Sequence, residues 1–245
     1  FLVAQPANAR QQRTAGQAPS NCTTRTNTIQ TFQIYNNDSG APIQYSSTAN
    51  QFTTDRFGAG TVIYKGKIYV AGGCISTTTD CNDVTDDVQF ASIDAYGTIT
   101  GWATTTDPTL PAQRGFGKLL EAGGVLYWVG GQDDGGTAQS NVYYGVPDAV
   151  TGNVSSWNTA SNGLPAARTK FGAASWNNRL YVTGGIDGAG ADQATVYVSP
   201  ALGSGVSGGN ISSAWSTSTA FNVNRSGNTT VAYATSLYIY DGYYG

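Results

Sequence analysis

The sequence predicts an all-β chain of repeated four-stranded antiparallel units. Three observations predict it. Glycine pairs at Gly72-Gly73, Gly130-Gly131 and Gly184-Gly185 each follow an apolar run, 58 and 54 residues apart. Arg56, Arg114, Arg168 and Arg225 keep the same beat, and so do Trp102, Trp157 and Trp215. Three residue types on one period mark a repeat architecture, in which each unit buries its apolar face against its neighbours. Helical periodicity is missing throughout, and Gly, Thr, Ser and Asn interrupt every window.

Each unit reads strand by strand. After Arg56, residues 58–64 form a β-rich run and Lys65-Gly66 a two-residue hairpin turn. Residues 67–71 are the returning strand, which ends at the glycine pair. A polar loop follows, then strands over 88–93 and 98–102. The second unit repeats this at 117–121, Gly123-Gly124, 125–129, 141–146 and 154–157. The third has 172–176, Asn177-Asn178, 180–183, 195–199 and 211–215. A fourth begins at Arg225 with strands over 229–233 and 237–240. Before Arg56, 29–35 and 42–45 read as the last two strands of a preceding unit. Repeated four-stranded antiparallel units are the pattern of β-propeller blades. The chain thus holds three full blades and two half blades, as a small ring closed by its own halves or as part of a larger ring.

Composition bounds function. The 245 residues include 32 Gly and 11% aromatics, and only 11% are charged. The charged share is about half the usual one. With net charge −3 nothing attracts a phosphate backbone, so nucleic acid is not an expected partner. No apolar run reaches membrane-spanning length, so membrane insertion is not expected either. There is no Met, and Ala7-Asn8-Ala9 after an apolar start reads as the tail of a secretory signal peptide, in a fragment or processed form. Residues 1–27 are therefore assigned to a signal-peptide remnant and polar linker, and 28–245 to the repeat domain. Export favours oxidised cysteines, and Cys74 and Cys81 in one polar loop are expected to form a disulfide, leaving Cys22 over.

The glycine pair after an apolar strand, a downstream aromatic (Phe90, Tyr143, Tyr197), a later Trp, and Leu-Pro-x-x-Arg at Leu110–Arg114 and Leu164–Arg168 resemble the kelch-repeat β-propeller family over residues 28–245. Two features depart from its pattern. The aromatic-to-Trp gap is long, 12 residues from Phe90 to Trp102 and 18 from Tyr197 to Trp215, and Asp241-Gly242 replaces the fourth pair. The resemblance implies a binding or adhesion propeller. It also admits a carbohydrate-active enzyme of the sialic-acid isomerase kind, or a structural repeat of a large surface protein.

The chain has no histidine, which removes the kelch-type copper oxidases and every Ser-His-Asp or Cys-His arrangement. No catalytic residue, metal site or cofactor is expected. The repeated arginines read first as structural, because equivalent positions do equivalent work. Their other reading is ligand contact. Strand parity puts them on one face with the loops after the glycine pairs, which carry Asp80, Asp83, Asp86, Asp87, Asp133, Asp134, Asp187 and Asp192. The expected ligand face is therefore Asp83, Asp86, Asp87, Asp133 and Asp134 with Arg114 and Arg168, for a glycan or a cell-surface protein. No spacing among these acids matches a calcium loop. Sequons stand at Asn37, Asn153, Asn210 and Asn228.

Overall fold

A computed structural model describes residues 30–33, 44–47, 52–75, 81, 83–95, 97–104, 109–205 and 207–243. The expected signal remnant and linker, Cys22, Asn37 and Asp80 lie outside them. The strands are β1 (Gln30–Gln33) and β2 (Gln44–Ser47), then β3 (Gly60–Tyr64), β4 (Lys67–Ala71), β5 (Val88–Ile93) and β6 (Ile99–Thr104). The second blade has β7 (Lys118–Ala122), β8 (Val125–Val129), β9 (Val142–Pro147) and β10 (Val154–Thr159). The third has β11 (Gly172–Trp176), β12 (Arg179–Thr183), β13 (Val196–Val198) and β14 (Ser216–Ser218), and a half blade has β15 (Thr229–Tyr233) and β16 (Ser236–Tyr240).

Three four-stranded antiparallel sheets run in the order β3 to β6, β7 to β10 and β11 to β14. The first strands β3, β7, β11 and β15 pack side by side in sequence. This is the stacking of propeller blades around an axis, as the sequence predicts. The two half blades form separate two-stranded sheets, β1-β2 and β15-β16, and do not join into one blade.

The turns follow from their residues. Lys65-Gly66, Gly123-Gly124 and Asn177-Asn178 all have positive φ at both positions, the turn whose twist matches paired antiparallel strands. One strand is not where the sequence places it. The 211–215 strand is absent, and β14 begins after Trp215. The link from β13 carries a short 3-10 turn, Ser207–Gly209, and its Gly209 carbonyl accepts a hydrogen bond from Tyr127 of the second blade at 2.9 Å. Ile211 is fully buried there and its carbonyl accepts the Asn162 N–H. That link accounts for the long gap from Tyr197 to Trp215.

The core lies between blades. One layer joins Tyr69, Ala71 and Val88 to Leu119, Leu126, Trp128 and Trp157, and a second joins Tyr127, Val129 and Val142 to Leu180, Val182, Ile211 and Trp215. Tyr69 and Tyr127, three residues before their glycine pairs, each reach the outer hairpin of the next blade, Tyr69 to the Gly152 carbonyl at 2.8 Å. Tyr238 holds the same place in the half blade. It is 44% exposed, against 0% for Tyr127, because no described blade covers that face.

The glycine pairs explain themselves at this joint. Their first members have φ between 52 and 64° and their second members between 88 and 105°. A Cβ on Gly72 would meet the Arg114 carbonyl at 2.5 Å, and one on Gly131 would meet the Gly115 carbonyl at 2.5 Å. The first glycine lets the next blade's backbone approach, and the second lets the start of its own blade approach. Asp241 takes the first position in the half blade with φ 56°, a left-handed value that Asp tolerates, and Gly242 keeps the second at 109°.

Candidate functional site

The repeated arginines sit at the starts of the blades with their guanidinium groups turned inward. Arg114 and Arg168 are 7% and 3% exposed. In the second blade Arg114 Nη2 donates to the Tyr143 hydroxyl at 2.8 Å and to Asn141 Oδ1 at 3.3 Å. In the third, Arg168 Nη2 donates to the Tyr197 hydroxyl at 2.8 Å and to Thr195 Oγ1 at 2.9 Å. Both guanidinium groups also lie over those tyrosine rings. Burial pushes the Tyr143 hydroxyl up from its ordinary pKa while Arg114 partly opposes it, so the tyrosine stays neutral at physiological pH.

The first blade solves the same position differently. Arg56, 4% exposed, forms an ion pair with Asp87 and donates to the Gly72 carbonyl at 3.0 Å. Gln89 Nε2 supports the same carboxylate at 2.6 Å. Strand register makes Gln89 the counterpart of Tyr143 and Tyr197, since these pair with Val70, Trp128 and Val182, each two residues before its glycine pair. Phe90, which the sequence reading aligns with those tyrosines, pairs with Tyr69 and corresponds to Tyr144. The one-residue slip arises because the aromatic in this blade moved to the other face of the strand.

The loops after the glycine pairs lie on the arginine face, where Phe57, Gly115, Thr169 and Ser226 bridge to Cys74, Gln132, Ile186 and Tyr243. The second and third loops are built alike. Asp133 Oδ1 accepts the N–H groups of Gly135 and Thr137, and its Oδ2 accepts from Gln139 at 2.7 Å. Asp187 does the same with Ala189, Ala191 and Gln193. These N–H donors, Ala191 foremost, hold Asp187 below the usual carboxylate pKa range.

The first loop is instead closed by the Cys74–Cys81 disulfide, with Cα atoms 5.5 Å apart and both residues buried. Asp134 Oδ1 accepts the Val84 N–H at 2.8 Å, so the first and second loops adjoin. Asp83 and Asp134 face solvent, Asp86 is half-buried, and Asp87 and Asp133 are engaged within their own blades. The geometry therefore ties Asp134 to Val84, next to Asp83, pairs Arg56 with Asp87, and leaves Arg114 and Arg168 buried. Among the described residues no group of three acidic or sulfur ligands could hold a metal. Of the sequons, Asn153 is exposed, Asn210 is tied to Ser161, and Asn228 is buried at 3% exposure.

A second feature of this face escapes the sequence reading. The residues two beyond each arginine, Gly58, Phe116, Lys170 and Gly227, all have φ between 52 and 67°. Phe116 N–H donates to Gly58, Lys170 N–H to Phe116 and Gly227 N–H to Lys170, at 2.6–3.1 Å, stitching four blades around the axis. Inside lie two adjoining cavities of about 250 and 290 Å³, which share Ala59, Lys118, Asn228 and Thr229 as walls. The four positions hold three different residue types, so only the period could reveal them.

Residues 55–88 match the family model of the kelch motif, and the resemblance read from the sequence stands on that unit. The match spans Arg56, the first glycine pair and the disulfide loop, and the next two blades reproduce its geometry. No curated protein matches the chain.

Proposed function

We propose that the chain is a non-catalytic binding module, exported and displayed at a cell surface, that meets a glycan or a cell-surface protein through the loops after its glycine pairs. One observation carries this reading. The buried arginine and the backbone hydrogen bonds around the axis recur from blade to blade, while the first loop departs from the other two in length, charge and covalent closure. Variation carried on a rigid frame is where recognition residues concentrate. Asp83 and Asp134 are the contact residues, on adjoining loops. Asp86, Asp87 and Asp133 shape those loops, and Arg114 and Arg168 fix the blades beneath. The disulfide fits an oxidising compartment. No helix among the described residues is long and apolar enough to cross a membrane.

The test is an Asp83→Ser, Asp134→Asn variant, in which the introduced amide oxygen can still accept the Val84 N–H, on a glycan array and in cell-binding assays. Binding should fall with the melting temperature unchanged, because exposed loop substitutions shift stability by less than about 0.5 kcal/mol. Binding that survives, or that maps to the outer hairpins, overturns the reading.

A further inference from the structure

We propose that the axial recess is a second binding site, for a single sugar-acid unit: a hydroxylated carboxylate, free or at the end of a glycan. Lys118 opens the innermost strand of the second blade and lines both cavities, and none of the other lining residues is acidic. Among the described residues its ammonium has no ion-pair or hydrogen-bond partner, in a protein whose net charge is −3. Lys118 is half-buried, and that burial lowers its pKa from the ordinary lysine value. Lys170 stands at the mouth with its Nζ 5.1 Å from the Phe116 ring centre. Two lysines thus line one small volume whose walls hold no carboxylate.

Asn228 supplies an independent sign. Its Nδ2 donates to Thr183 Oγ1 at 2.9 Å, but its buried Oδ1 accepts nothing from the described residues, although Asn228 walls both cavities. A buried acceptor without a donor is costly unless a ligand or water completes it. Thr61 and Thr229 add hydroxyl groups, and Phe116 and Tyr243 add apolar faces. The ring N–H groups of Phe116, Lys170 and Gly227 are already bonded from blade to blade, so no free N–H nest is offered to a phosphate. Ammonium groups, an amide, hydroxyls and aromatic faces together match a sugar carboxylate. Each volume falls just below the range of common ligand sites, about 300–1,000 Å³, which limits the occupant to one unit.

This site stands apart from the loop surface, and its test separates the two. Glucuronate is titrated into the whole chain by calorimetry, with lysine acetylation by acetic anhydride read by mass spectrometry. Glucuronate should bind, protect Lys118 from acetylation and leave Lys65 unprotected. Lys118→Met and Lys170→Met should each weaken it by about 10-fold or more, as loss of a charge-assisted contact does. Lys170 is exposed, so its variant tests the site even if Lys118→Met fails to fold. Glucose should bind more weakly. A glucuronate-terminated oligosaccharide that binds more tightly than free glucuronate identifies a glycan end as the source, and the reverse identifies the free acid. The Asp83→Ser, Asp134→Asn variant should bind glucuronate as the parent does. Absence of glucuronate binding, equal binding by both lysine variants, or equal protection of Lys118 by inorganic sulfate overturns the proposal.

Discussion

The first blade and the two that follow build one joint from different chemistry. In the second and third blades a buried arginine donates to a tyrosine hydroxyl and to a neutral Asn or Thr. In the first, Asp87 stands where Asn141 and Thr195 stand, and Gln89 where Tyr143 and Tyr197 stand. The two replacements compensate each other. Without the tyrosine hydroxyl the guanidinium gains a carboxylate, and without a second donor nearby that carboxylate would be under-satisfied, so Gln89 supplies its amide. The repeat therefore keeps a requirement, that the guanidinium be satisfied at the blade end, and does not keep a residue pair.

The comparison is broken most directly at the arginines. Arg56→Leu leaves Asp87 as a partly buried charge without its partner, and should cost about 3–5 kcal/mol. Arg168→Leu leaves only neutral groups unpaired, Tyr197 and Thr195, and should cost less, about 1–3 kcal/mol. Urea unfolding of both variants measures the difference. Equal losses would mean that the ion pair adds nothing beyond the hydrogen bonds.

The disulfide separates the same two regions at the next size of effect. Only the first loop is closed covalently, while Asp133 and Asp187 close theirs with side-chain hydrogen bonds. Cys74→Ser, Cys81→Ser should lower stability by about 2.5 kcal/mol, the loop-closure entropy of a short bridge. Hydrogen exchange should rise around Ile75, Val84 and Thr85 and stay level in the 133–139 and 187–193 loops. Exchange rising equally in all three loops would show that the loops are not independent.

Much of this joint is legible in the sequence, and the limits have physical causes. Arginine, glycine pair and hairpin turn recur because backbone geometry demands them. Gly131 at φ 90° against a carbonyl admits no side chain, whatever the blade. The disulfide follows from spacing within one loop. The alignment of Phe90 with Tyr143 fails because a strand shows one aromatic equally well on either face, and only register tells which face is in. The displaced β14 fails because 211–215 is apolar for packing, with Ile211 and Trp215 as core plugs rather than strand residues. The candidate aspartates share charge and face in the sequence. Sequence cannot distinguish Asp83, which faces solvent, from Asp133, which organises its own loop. Lys118 carried no signal, since one lysine at a strand start is unremarkable until four blades surround it.

Exchanging the chemistry sharpens the comparison further. Asp87→Asn alone removes the ion pair and should cost about 2 kcal/mol, within the range for hydrogen bonds to charged groups. Asp87→Asn with Gln89→Tyr rebuilds the second blade's arrangement around Arg56. Groups that share one network couple by about 0.5–3 kcal/mol, so the double variant should be more stable than the Asp87→Asn single. Additive losses would mean that Phe52, whose ring lies under the Arg56 guanidinium at 5.6 Å, leaves no room for the tyrosine.

The smallest effect tests what the blades have in common. Tyr69 and Tyr127 occupy one position in two blades and bond the next outer hairpin in the same way, whatever the arginine chemistry above them. Burial pushes the Tyr69 hydroxyl up from 10.0 to about 12, with Tyr64 adding to it, and burial raises Tyr127 as well. A tyrosine that ionises later in the folded state stabilises the fold below the unfolded pKa. Stability should thus be level up to about pH 10 and fall between pH 10 and 12 as the unfolded chain releases protons that the folded one retains. Tyr69→Phe removes one hydrogen bond, at about 1 kcal/mol near neutral pH, and removes the Tyr69 share of the alkaline loss. Tyr127→Phe should give the same two signs. A variant that loses stability at pH 7 but keeps the full alkaline decline would place that decline elsewhere, and the first joint would then differ from the second in its tyrosine too.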